Sequence, residues 1–183
     1  MPWHAVLYAA PLVLAGAMAA PPGEDARALH DAMDRLAELL VGRWQGSFRL
    51  DLGKPPSYDV SSTFTAATRA DGTLLVLDVS YTLTAAGQPP DSTPHGELAL
   101  LFFDPVEKTY RFELYFADGK RETGFARLEG PILRATTAVS GGGFRRLTID
   151  RSVSDVWHET GERSSDGVTW RTYLDARFQR VAE

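Results

Sequence analysis

The 183-residue chain contains no cysteine, which excludes a disulfide framework, a thiolate metal site, a cysteine nucleophile and a lipid-modified cysteine. Its first twenty residues, MPWHAVLYAAPLVLAGAMAA, contain no Asp, Glu, Lys or Arg. The apolar stretch that begins at Ala5 is interrupted by Pro11 and is shorter than the roughly 20 residues a bilayer-spanning helix requires. Basic residues are in the minority, 19 Lys and Arg against 24 Asp and Glu, for a net charge of -5. That balance argues against nucleic acid and anionic membranes as main partners. Neither G-x-S-x-G nor G-x-G-x-x-G nor G-x-x-x-x-G-K-[ST] occurs, so there is no nucleophile elbow and no phosphate cradle.

What is present suits one packed domain, with 44% apolar and 10% aromatic residues and a length within the single-domain range. The uncharged opening segment ends in small residues and reads as a secretory signal peptide over 1–19, with Ala17-Met18-Ala19 as its A-x-A site. The expected product is a soluble protein, periplasmic or secreted, with no integral membrane segment in the mature chain. A linker and the start of a helix occupy 20–35, and a barrel domain takes 36–183. Within EDARALHDAMDRLAELLV, residues 24–41, Leu29, Met33, Leu36 and Leu40 recur at helical spacing, which predicts one amphipathic helix lying on a hydrophobic rim.

From Arg43 the apolar period changes to two. Asp-Gly pairs at 71–72, 118–119 and 166–167 each separate alternating runs, the strongest short-range hairpin signal. The breaks predict about ten strands, near 43–52, 57–69, 73–84, 96–103, 109–117, 120–129, 131–140, 144–152, 156–164 and 168–180. Hairpins this short leave no room for crossover helices. The expected fold is therefore all-β, an antiparallel up-and-down barrel preceded by one helix. Residues 85–96, AAGQPPDSTPHG, form the one long connection and are expected to flap over one end.

In LLVGRWQGSF, residues 39–48, Trp44 stands between two glycines. A strand leaving a helix at the closed end of a barrel needs a plug, and Trp44 supplies it, with Gly42 for the sharp turn and Gly46 to leave room for the ring. Arg180 shares a phase with Trp170, Leu174 and Phe178 on the last strand, which closes against the first. The expectation is that Arg180 lies over Trp44 as a cation–π partner at the barrel floor, worth roughly 0.5 to 2 kcal/mol.

A Gly-x-Trp near the first strand with an arginine ending the last resembles the calycin superfamily of lipocalins and fatty-acid-binding proteins. LLVGRWQG, HGELALLFFDPVEKTYRF, DVWHETGERSSDGVTW and RFQR are similar to elements of a bacterial family with a lipocalin-like or nitrobindin-like barrel. The resemblance implies a calycin-like, ten-stranded barrel whose interior takes an apolar ligand, and it carries no established activity.

Candidate chemistry is sparse. His158-Glu159-x-x-Glu162 departs from the helical zinc motif H-E-x-x-H at its last ligand and lies in a strand. Pointed into the lumen, His158 would serve as a haem ligand, which the likeness to nitrobindin-like barrels permits, or with Glu159 as an acid or base for isomerisation. Asp91, Ser92 and His95 lie close enough to suggest a Ser-His-Asp arrangement, but triads are assembled from separate elements and no nucleophile elbow is present, so they read as turn residues at the mouth of the barrel. SGGGF, residues 140–144, is read as a flexible hairpin, and Arg145, Arg146 and Arg151, interleaved with acids, as a solvated face.

The leading expectation is thus a barrel that binds one small apolar or amphipathic molecule, lined by Tyr58, Phe64, Tyr81, Phe102, Phe112, His158 and Trp170, with Trp44 and Arg180 closing its floor. No cofactor is expected unless haem binds at His158. The rivals are a lumenal enzyme using His158 and a filled barrel that serves as a protein-interaction module.

Overall fold

The computed structural model describes residues 23–53, 55–89, 93–139 and 142–182. The expected signal segment 1–19 lies outside them, as do Asp91, Ser92, Ser140 and Gly141. A single helix, α1 (Glu24–Leu40), precedes ten strands: β1 (Gly42–Leu50), β2 (Tyr58–Arg69), β3 (Leu74–Ala85), β4 (His95–Asp104), β5 (Thr109–Phe116), β6 (Arg121–Glu129), β7 (Ile132–Ala138), β8 (Phe144–Asp150), β9 (Val156–Ser164) and β10 (Arg171–Arg180). Each strand pairs antiparallel with its neighbour in sequence, and β1 pairs with β10, with Trp44 opposite Arg180, so the sheet closes on itself. Closure leaves no unpaired edge for another chain to extend. The three Asp-Gly pairs occupy the β2–β3, β5–β6 and β9–β10 turns, as hairpin chemistry requires.

Alternation divides each strand into an inner and an outer row. Val60, Ser62, Phe64 and Ala66 of β2 are buried, and so are Leu75 and Leu77 of β3, Ala99 and Leu101 of β4, and Tyr110, Phe112 and Leu114 of β5. On β1 and β10, Trp44, Leu174, Ala176 and Phe178 are buried in the same interior.

α1 seals the end of the barrel where β1 starts. Ala32, Met33, Leu36 and Leu40 are wholly buried, and the Tyr110 hydroxyl donates to the Ala32 carbonyl at 2.8 Å. Acidic Glu24 and Asp25 occupy the first turn, where the helix dipole favours negative charge. The last carbonyls of a helix lack partners within it. Here barrel side chains supply them: Trp44 Nε1 donates to Leu40 O at 3.1 Å, Arg151 Nε to Leu39 O at 3.0 Å, and an Arg180 terminal nitrogen to Val41 O at 2.8 Å.

The Arg180 guanidinium carbon lies 4.4 Å from the Trp44 ring centroid and that of Arg151 4.1 Å. Arg151 is therefore part of the barrel floor and not of the solvated face expected for it. Gly42 adopts φ +146°, and a Cβ there would meet the Arg180 guanidinium at 2.2 Å, so this glycine makes room for the arginine as well as for the turn. A Cβ on Gly46 would strike the Arg177 carbonyl at 2.4 Å and the Phe178 ring at 2.8 Å. Gly46 thus admits the neighbouring strand and its phenyl ring, not the Trp44 indole as expected.

Among the described residues no helix is long and apolar enough to cross a membrane.

Candidate functional site

The barrel interior has two layers of different chemistry. The layer next to α1 is packed with rings: Trp44 lies 5.6 Å from Trp157, Phe64 lies 4.8 Å from Trp157, and Phe178 lies 5.0 Å from Phe64, all edge to face. Such pairs add about 0.5 to 1.5 kcal/mol each beyond the burial of their area.

Toward the opposite end the same inner rows turn polar. On β3 the row that begins with Leu75 and Leu77 continues to Tyr81, and on β4 the row of Leu101 and Ala99 continues to Glu97 and His95. β6 contributes Glu122, β8 Arg145, and β9 Glu159 two residues beyond the buried Trp157. Adjacent strands run in opposite directions, so residues early in β4, β6 and β8 meet those late in β3 and β9 at one end.

The contacts in this layer are specific. The Tyr81 hydroxyl donates to Glu97 at 3.1 Å, and its ring stacks on His95 at 5.5 Å between centroids. Arg145 pairs with Glu122 at 3.2 Å, with both side chains largely buried, and Thr137 donates to the same carboxylate at 3.5 Å. Trp157 Nε1 donates to Glu159 at 3.0 Å. Arg145 Nε is buried without a hydrogen-bond partner among the described residues.

Tyr173 completes the layer by an irregularity. The register of β10 against β9 slips between Thr172 and Leu174, a bulge that turns one extra side chain toward the lumen. Tyr173 lies over Gly161, where a Cβ would approach its Cζ at 2.8 Å and its hydroxyl at 2.9 Å. Its ring is flanked by Arg163 at 4.5 Å and Arg145 at 5.8 Å.

Desolvation dominates the ionisation of these groups. Burial raises the Glu159 carboxyl to about 7, with a further upward push from the charge of Glu97 and opposing effects from the Trp157 hydrogen bond and Arg145. Burial also raises Glu97, against the Tyr81 hydrogen bond and Arg145. The Tyr81 and Tyr173 phenols are both pushed up to about 12, again chiefly by burial. They are hydroxyl donors at neutral pH.

Of the residues expected to line a cavity, Phe64 and Phe112 are buried in the core, and Tyr58 and Tyr81 lie in the inner rows near the end opposite α1. Phe102 does not face inward, because the inner row of β4 runs through Ala99, Leu101 and Phe103. His158 also lies on the outer face, opposite Arg177, with Nε2 2.8 Å from Asp175. It offers no ligand to the lumen. Trp170 lies outside as well, with the Arg146 guanidinium carbon 4.3 Å from its ring centroid, since the bulge at Tyr173 reverses the phase on which its inward placement was based.

Sequence reasoning missed Glu97, Glu122, Arg145 and Tyr173 and placed Arg145 on a solvated face. The signal was available: a charge in the apolar phase of several strands, always toward the same end. A cleft of about 750 Å³ lies between α1 and the β4–β5 and β6–β7 turns, with Arg35, Phe103 and Leu128 in its walls.

The sequence matches no family model, and no curated protein matches it. Among solved structures the fold is similar to the crystal structure of Rv2717c from M. tuberculosis, with a TM-score of 0.57 and 16% identity over 84% of this chain and 99% of that one. At that identity the likeness is one of fold.

Proposed function

We propose that this chain is a small-molecule-binding barrel of the calycin, nitrobindin-like kind, which receives an amphipathic ligand through the end opposite α1. The observation that carries the reading is the polar layer of Tyr81, Glu97, Glu122, Arg145, Glu159 and Tyr173, set above a floor of packed rings. Buried polar groups are expensive unless they have partners, and an interior that keeps seven such side chains, counting Trp157, where apolar ones would stabilise it more is suited to orienting a bound molecule. The ligand's apolar part rests toward the rings and its polar part meets the glutamates and tyrosines. This narrows the apolar carrier expected from the sequence, since the ring layer leaves only the polar half for a guest.

Native mass spectrometry of gently purified protein tests the reading. A stoichiometric adduct of a few hundred daltons is expected. Unliganded protein that also leaves the fluorescence of 1-anilinonaphthalene-8-sulfonate unchanged would overturn it.

The uncharged apolar opening segment supports export to the periplasm or beyond. A mature N-terminus at Ala20 in the exported fraction is the expected result, and an intact Met1 there would refute it.

A further inference from the structure

We propose that the outer face of β3–β6 is a dimer interface, on which a second copy of this chain packs about a two-fold axis running along the sheet between β4 and β5. The proposal goes beyond the binding function above and does not depend on it.

Strand composition is where the wall stands out. A strand with one face in the core and the other in water alternates apolar and polar residues, whereas a strand covered on both faces reads as a continuous apolar run. Residues 98–103 of β4, LALLFF, and 74–77 of β3, LLVL, are runs of the second kind. Ala99, Leu101 and Phe103 take the inner row of β4, which leaves Leu98, Leu100 and Phe102 outside, beside Leu74 and Val76 of β3. Tyr115 of β5 and Phe125 of β6 extend this outer patch, Tyr115 opposite Leu98 and Phe125 opposite Arg111. Leu98 is 37% and Phe125 51% exposed.

Nothing in the described chain covers the patch. Among the described residues α1 is the one element outside the sheet, and it packs into the core at the barrel end. Neighbouring strands lie about 4.8 Å apart and alternate residues about 6.8 Å apart along each, so with its side chains the patch measures roughly 20 Å each way. That extent suits a reversible dimer at the low end of stable interfaces.

The charges on the patch point to a second copy as the occupant. Asp78, Leu98, Tyr115 and Arg121 face one another across β3, β4, β5 and β6 in a single row. The row reads acid, aliphatic, aromatic, base. Turned about an axis between β4 and β5 it meets itself reversed, with each Asp78 against the other copy's Arg121 and each Leu98 against the other's Tyr115, the self-complementarity that an isologous contact requires. Asp78 is exposed and makes no ion pair among the described residues, its cross-strand neighbours being Thr65 and Leu98. Arg121 is held only by Glu113 at 3.1 Å, and Glu113 also accepts from the Tyr115 hydroxyl at 2.5 Å, so it keeps a partner when Arg121 turns to Asp78. Association by strand addition is barred, because the closed barrel has no free edge. Packing by this face leaves both barrel ends uncovered.

Sedimentation velocity of the purified chain across a hundredfold concentration range tests the proposal. The expected result is a reversible shift from one chain mass to two. Leu98→Arg should weaken the dimer at least tenfold, and Val168→Arg, equally charged but on the β9–β10 turn, should leave it unchanged. Asp78→Arg and Arg121→Asp should each weaken it at least tenfold, and the double variant should recover most of the loss, since the row is then reversed in sign but still complementary. Circular dichroism checks that each variant folds. A chain that stays monomeric throughout the range overturns the proposal, and so does a dimer indifferent to Leu98→Arg. Single swaps that weaken the dimer with no recovery in the double overturn the two-fold arrangement. A monomer that instead binds phosphatidylcholine vesicles, and loses that binding with Leu98→Arg, replaces the second copy by a lipid surface and overturns the dimer.

Discussion

Arg151 lies with its guanidinium carbon 4.1 Å from the Trp44 ring centroid and donates through Nε to the Leu39 carbonyl at 3.0 Å. The same side chain also donates to the Val156 carbonyl, so one guanidinium ties the end of α1 to the start of β9 across the face of the floor indole. Removing it would leave a helix-terminal carbonyl without a partner and uncover the ring. Arg151→Met should therefore cost about 1 to 3 kcal/mol, the range for orphaning a buried polar group. Trp44→Ala, which empties the floor, should cost about 3 to 5 kcal/mol. Urea denaturation followed by circular dichroism measures both, and an Arg151→Met midpoint equal to that of the parent would show the clamp to be idle.

The raised carboxyl of Glu159 makes stability depend on pH in a stated direction. In the unfolded chain this group loses its proton near the ordinary glutamate value of 4.5, and in the folded barrel only at about 7. The folded state thus holds the extra proton between those limits, and its stabilising effect is complete below pH 4.5 and lost as pH rises through 7. At about 1.36 kcal/mol per pKa unit the loss is on the order of 3 kcal/mol. Glu159→Gln keeps an acceptor for Trp157 Nε1 and cannot ionise. The variant should match the parent near pH 4.5 and exceed it in stability at pH 8, as read from urea midpoints across that range. Parallel pH profiles for the two proteins would refute the assignment.

Why the fold was readable and the site was not follows from how each is encoded. Strand alternation and Asp-Gly turns are local, and the expected strand limits agree with those observed to within about three residues. The phase of a strand, by contrast, holds only while its register is unbroken. Counting back from Phe178 puts Trp170 inward, and the slip between Thr172 and Leu174 reverses that count while bringing in Tyr173 instead. The chemistry of His158 suits a lumen, but the apolar Trp157 beside it claims the inner row. Glu97, Glu122 and Arg145 lie on three different strands, and their meeting depends on the closed barrel. No window along the chain contains it.

The bulge and the missing side chain at Gly161 act as one device. A methyl group at Gly161 would come within 2.8 Å of Tyr173 Cζ and 3.0 Å of Leu174 Cβ, and the second contact, being close to the backbone, cannot swing away. Gly161→Ala should destabilise the barrel by about 1 to 3 kcal/mol, the usual cost of overpacking. Pairing it with Tyr173→Ala should recover part of that loss, since one of the two clashes is then gone. A double-mutant cycle with no coupling between the sites would show that the ring does not rest on the glycine.

Arg145 and Glu122 form the most enclosed ion pair in the molecule among the described residues, with side-chain exposures of 13% and 7%. A pair so placed is dangerous to break and less costly to remove entirely. Arg145→Met leaves the Glu122 carboxylate buried with only the long contact to Thr137 at 3.5 Å, and should cost about 3 to 5 kcal/mol. Glu122→Gln alone leaves the guanidinium without its counter-charge and should be similarly harmful. In the double variant neither charge is stranded, and hydrophobic or neutral replacements of buried pairs are often tolerated. It should therefore be at least about 2 kcal/mol more stable than the sum of the single losses predicts. Guanidinium salts would screen the comparison, so urea melts at low ionic strength are the measurement, and strict additivity would mean that the two side chains are held by their surroundings and not by each other.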